Sequence, residues 1–221
     1  MKALGMIEVY SFTTAVCAAD AAAKAADVKV IAFDRNRPIS PDVPAPLVME
    51  IKLEGSVAAV QAAVEAGVNL AKSENKFIVS HIIPQPDPQT DKMAYLLDIN
   101  RDKFNKRLPK SFLDADVEIK SPGAAFGLLE IQGLVAAIEG LDTMLKTSDV
   151  SIIHTEKRLG GRLVTLIIKG SVSAVAEAVS AGETAAAKLG KVYGRAVIPS
   201  PHGEVAKFFD YENYFTENLK G

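Results

Sequence analysis

At 221 residues, 48% hydrophobic and 24% charged, the chain has the composition of a globular protein able to bury a core in one domain or two. A formal net charge of −2 and a pI near 6.0 supply no global basic field, which argues against nucleic acid as a partner. The single cysteine, Cys17, excludes an intrachain disulfide and a multi-cysteine metal site within one chain, and no uncharged apolar run reaches the roughly 18 residues of a membrane span.

Ala3 to Val9 is a short apolar run with Glu8 embedded in it, followed by Phe12, Ala15, Val16, Ala19, Ala22, Ala23 and Ala26 at helical spacing. This predicts strand, then helix, with no signal peptide and a cytosolic location. Asp20 and Lys24 stand four apart with the acid first, the favourable order for a pair on a helix surface. Val28 to Phe33 and Leu47 to Leu53 read as strands, separated by Asp34 to Pro46, where four prolines discourage regular structure. Ser56 is placed to cap a helix whose apolar face is Val57, Val60, Val64, Gly67 or Val68, and Ala71. Phe77 to Ile83 is a fourth strand, stopped by Pro84 and Pro86.

The same order then recurs: strands at about Ala125 to Ile131, Val150 to Thr155, Leu163 to Lys169 and Val192 to Ile198, with helices at Leu134 to Thr147 and Ser171 to Leu189. Placing Gly5 on Gly127 superposes Glu8 on Glu130, Asp20 on Asp142, Lys24 on Lys146, Asp27 on Asp149 and Val28 on Val150. GSVAAVQAAVEAG from Gly55 matches GSVSAVAEAVSAG from Gly170, and IIPQP from Ile82 matches VIPSP from Val197. The offset drops from 122 to 115, so the first copy carries seven extra residues between Val28 and Gly55. Strand, helix, strand, strand, helix, strand is the order of a ferredoxin-like α+β sandwich, here used twice. The expected division is 1–87 first domain, 88–124 linker with a short helix around Met93 to Phe104, 125–203 second domain, and 204–221 an aromatic tail. The tail's Phe208, Phe209, Tyr211, Tyr214 and Phe215 suit docking on a surface.

With these segments laid out, the chain resembles the tandem-domain shell proteins of bacterial microcompartments. ALGMIE and AFGLLE, Asp20-x-x-x-Lys24 and Asp142-x-x-x-Lys146 each followed by Asp-Val, the GSV-x-AV helix starts and the two Ile-Pro-x-Pro ends carry the resemblance. Their order resembles the non-permuted, propanediol-utilisation type. The resemblance implies a non-catalytic structural protein of a cytoplasmic shell, a homotrimer with pseudosixfold symmetry that tiles with other shell proteins, and a central pore for small metabolites. The pore-lining residues it implies are Arg35, Arg37, Pro38, Ile39 and Ser40 from one loop and Lys157, Arg158, Leu159, Gly160, Gly161 and Arg162 from the other. Lys24 and Lys146 take the place of the edge lysine between trimers. Two positions depart from the family pattern: Gln85 and Ser200 stand where an edge arginine is common, and neither loop has the cysteine with which some relatives hold an iron–sulfur cluster.

Other functions have thinner support in the residues. Glu8 and Glu130 suit backbone or subunit contacts better than acid–base chemistry. Gly160-Gly161 lacks the pattern of a nucleotide loop. His81, His154 and His202 share no metal-ligand spacing. The rivals are a trimeric ferredoxin-like regulator binding a small effector, and an enzyme or electron carrier using a cofactor, flavin or other, held at the trimer axis.

Overall fold

The computed structural model describes residues 2–38, 40, 42–87, 90, 124–156 and 162–209. The chain divides into two compact units, Met1–Asp116 and Val117–Gly221. In the first, β1 (Ala3–Tyr10), α1 (Phe12–Ala25), β2 (Val28–Asn36), β3 (Val48–Gly55), α2 (Val57–Ser73) and β4 (Phe77–Ile83) form a four-stranded sheet in the order β2-β3-β1-β4. Every neighbouring pair is antiparallel. The second unit repeats this with β5 (Ala125–Gln132), α3 (Leu134–Thr147), β6 (Val150–Glu156), β7 (Leu163–Gly170), α4 (Val172–Ala186) and β8 (Val192–Ile198), in the order β6-β7-β5-β8. It ends with α5 (Gly203–Phe209). Both sheets have the strand order and directions of a ferredoxin-like sandwich.

Period-two alternation divides each sheet into a helix-facing side and an opposite side. Gly5 and Gly127 lie on the helix side, and a Cβ there would stand 2.6 Å from Val60 Cγ1 and 2.6 Å from Val179 Cγ2 respectively. Only a residue without a side chain lets α2 and α4 sit this close to the central strands. The second core lies in this layer, with Leu129, Ile131, Leu166 and Ile168 from the sheet against Met144 and Val179 from the helices. The helices also approach each other closely: a Cβ on Gly67 would lie 3.0 Å from the Ala18 carbonyl oxygen, and one on Gly182 3.0 Å from that of Gly140. Ser56 and Ser171 each accept a hydrogen bond from a backbone N–H three residues on, Ala59 and Ala174, at 3.2 Å. The shared GSV segments are therefore a strand end followed by a helix cap.

The structure corrects some boundaries. β2 continues through Asp34, Arg35 and Asn36, expected in the loop, because they pair with Glu50, Met49 and Val48 of β3. Ladder hydrogen bonds outweigh local polarity here, and Lys52 forms an ion pair with Asp34 on the same sheet. Val57 is exposed rather than part of the apolar face of α2. α4 ends at Ala186, and Leu189 and Gly190 close a tighter turn onto the Ala186 carbonyl. The segment Met93 to Phe104 and the aromatics Tyr211, Tyr214 and Phe215 lie outside the described residues.

Candidate functional surfaces

The β2–β3 and β6–β7 connections occupy equivalent places in the two units. In the first, Arg35, Arg37 and Ser40 are exposed and Pro38 is half-buried. The Arg37 N–H donates to Asn36 Oδ1 at 2.8 Å and the Asp42 N–H to Ser40 Oγ at 3.2 Å. Buried Ala45 and Leu47 anchor the far end. In the second, Arg162 is exposed at φ 62, while Lys157, Arg158, Leu159, Gly160 and Gly161, like Ile39, lie outside the described residues. Both connections are tied to a helix start in the same way. The Ser11 N–H donates to the Leu47 carbonyl at 3.1 Å, and the Gly133 N–H to that of Arg162 at 2.8 Å. Ser11 at φ 79 and Gly133 at φ 99 turn the chain from strand into helix to make this bond. Of the two arginines expected in the first loop, Arg35 thus projects from a strand end and Arg37 from the loop.

On the side of the first sheet away from its helices, Glu8, Glu50 and Asp34 form one row by register. Asp34 and Lys52 are buried together, and Lys52 Nζ lies 3.8 Å from Glu50 Oε2. Burial raises the Glu50 carboxyl above its ordinary pKa; Lys52 opposes this, and Asp34 and Glu8 add to it. The corresponding row in the second unit is Glu130, Thr165 and Glu156. Ile167 replaces Lys52 there, and Glu130 is wholly buried. Neighbouring acids on a ladder give a structural row rather than a nucleophile and base converging on a cleft. Among the described residues no three His, Cys, Asp or Glu side chains are grouped to hold a metal ion. Cys17 is buried on α1, and burial, with Glu74 and Asp20 adding, pushes its thiol up to about 12.

The last turns of α1 and α3 carry the matched lysines. Lys24 Nζ donates to Asp20 Oδ2 and Lys146 Nζ to Asp142 Oδ2, both at 2.6 Å across one helical turn. The hydrogen bond to Asp142, then its charge, raises the Lys146 pKa. The helices differ in their apolar residues. Leu134, Val135, Ile138 and Leu145 of α3 are 57, 73, 60 and 43% exposed, whereas the equivalent Phe12, Thr13, Val16 and Ala23 of α1 are at most 4% exposed. Sequence reasoning missed this stripe. Its signal was apolar residues on more of the α3 circumference than one buried face uses.

Taken with the fold, these surfaces define a duplicated ferredoxin-like sandwich whose second copy presents an uncovered apolar helix face and whose two arginine-bearing connections are equivalent. Residues 3–86 and 125–201 each match the BMC domain, so the chain belongs to the BMC domain family and contains two copies of it. It is 33% identical over 199 residues to the carboxysome assembly protein CcmO of Synechococcus elongatus, covering 90% of this chain and 65% of that protein. The chain therefore spans just under two thirds of the length of CcmO. The bacterial microcompartment shell protein PduA of Salmonella typhimurium is 46% identical over 83 residues, which is 38% of this chain and 87% of PduA. The shell protein EutM of Escherichia coli is 40% identical over 97 residues, 44% of this chain and 93% of EutM. The expectation of a duplicated microcompartment domain is met.

Proposed function

We propose that the chain is a structural, non-catalytic tile of a bacterial microcompartment shell in the cytoplasm, a homotrimer in which two BMC domains per subunit fill six positions around a pore. The uncovered α3 stripe is the observation that carries the assembly. A contiguous apolar face left exposed on α3 marks an interaction surface, and the contact with a neighbouring subunit in such a ring would cover it. That single-domain shell proteins PduA and EutM match nearly their whole length supports the shell role. Lys24 and Lys146 then lie at contacts between trimers and with other shell proteins.

In such a ring each basic residue of the two connections recurs three times about one axis. Arg35, Arg37, Pro38, Ile39 and Ser40 line the opening with Lys157, Arg158, Leu159, Gly160, Gly161 and Arg162. The arginines favour small anionic metabolites over cations. Prolines at 38, 41, 44 and 46 narrow the conformations of the longer loop, which carries the seven extra residues. Electron microscopy of the purified chain tests the tile: extended sheets support it, and discrete particles that never tile support the small-effector regulator. Anion and cation flux through a reconstituted layer tests the pore. Loss of anion preference on changing Arg35, Arg37, Arg158 or Arg162 to Ser supports it, and unchanged selectivity in all four variants removes it. An absorption band of the purified chain in the visible range would instead favour a cofactor at the axis.

A further inference from the structure

The guanidinium of Arg162 lies at the edge of the apolar face of α3. A Cβ on Gly133 would stand 4.0 Å from Arg162 Nη2, so the side chain reaches the residue at which the chain turns into α3 and where the exposed Leu134 and Val135 follow. The Arg162 carbonyl is fixed to the same place, accepting the Gly133 N–H at 2.8 Å. Its backbone is left-handed at φ 62, a conformation that glycine adopts far more readily, and two glycines stand immediately before it in the sequence. An arginine kept at such a position points to a use for its side chain. That side chain is exposed and makes no ion pair among the described residues. At the equivalent place beside α1 stands Leu47, which is buried.

We propose that Arg162 anchors a second copy of this chain at the rim of the α3 stripe by pairing with Asp42 of that copy. The pairing rests on the proposed ring and supplies the polar part of the contact whose apolar part is α3. Two kinds of unit alternating around a ring put a first connection from a neighbouring copy beside every second connection. The first connection, from Arg37 to Leu47, holds one acid, Asp42, which is exposed and whose N–H donates to Ser40 Oγ at 3.2 Å. Asp34, near the end of the preceding strand, is buried with Lys52. Asp42 is therefore the carboxylate that the first connection presents, and Arg162 is the exposed arginine at the stripe. A guanidinium beside exposed leucine and valine has the composition of an interface anchor: the apolar groups exclude water, and the paired charges fix the register. The contact is also directional, because each copy gives Arg162 to one neighbour and Asp42 to the other.

Light scattering of the full chain over a dilution series tests the pair with Arg162→Glu, Asp42→Arg and the two changes together. Each single reversal sets like charges against each other and should weaken the contact by roughly a hundredfold, so that the particle dissociates at concentrations where the wild type holds. The double reversal restores opposite charges and should regain most of that loss. Single variants assembled as tightly as the wild type, or a double variant no tighter than the single ones, would overturn the pair while the ring stands. A wild type that is monomeric throughout would overturn the ring and this contact with it. Should a reversed chain lose its fold, Asp42→Cys with Arg162→Cys decides, Cys17 being buried. Oxidation that links separate chains by disulfides supports the contact, and disulfides closed within one chain, or none at all, overturn it.

Discussion

Replacing Ile138 by Asp should separate assembly from folding. Full burial of an isoleucine side chain stabilises by about 1.5–3 kcal/mol. Ile138 is 60% exposed in the chain, so covering it in a subunit interface contributes about 1–2 kcal/mol of that. Aspartate forfeits this and brings a carboxylate into an apolar contact, a desolvation cost of about 2 kcal/mol or more. A loss of about 3 kcal/mol or more weakens each interface by roughly a hundredfold or more. Because the site is exposed in the lone chain, its fold should change by no more than about 0.5 kcal/mol. Light scattering over a dilution series reads the outcome: three 23.5 kDa chains give a wild-type particle of about 70 kDa, and the variant should dissociate toward 23.5 kDa at concentrations where the wild type holds. A variant as trimeric as the wild type under dilution, or a monomer that loses its circular dichroism, would refute the assignment of this face to assembly.

Changing Lys24 and Lys146 together to Ala should abolish sheets in electron micrographs while leaving the trimer intact; loss of the trimer would place these lysines within it. Gly127→Ala puts a methyl group 2.6 Å from Val179 Cγ2 and 2.7 Å from Val175 Cγ1, so it should destabilise the second unit by about 1–3 kcal/mol in urea denaturation, and Val179→Ala should recover part of this in a double-mutant cycle. Glu50→Gln should raise the denaturation midpoint at neutral pH, because a buried acid with a raised pKa is costly only when ionised; the gain should fade as pH falls to its ordinary 4.5, and a gain that persists at lower pH would contradict the cause. Cys17, with its thiol near 12, should resist alkylation by iodoacetamide at pH 8 in the folded chain and react at the ordinary rate in urea.

Much of this architecture depends on short-range patterns, and these were legible. Strand alternation, helical spacing, the Ser56 and Ser171 caps and the Asp20–Lys24 and Asp142–Lys146 pairs all involve residues within a turn or two of each other. The duplication followed because equal polar residues recur at equal intervals. What tertiary structure alone decided involves partners distant in sequence. Asp34 to Asn36 are strand because β3 offers them a ladder, although their own composition reads as loop. α1 and α3 occupy matching places in the repeat, yet one apolar face is buried and the other exposed, since coverage depends on the surroundings of each copy and not on its local spacing. His154 and His202 shared no motif, and only the packing of α5 brings one ring to each end of it. Local spacing specifies backbone geometry and which side chains share a face, but whether that face meets water, another element or another chain is set by packing.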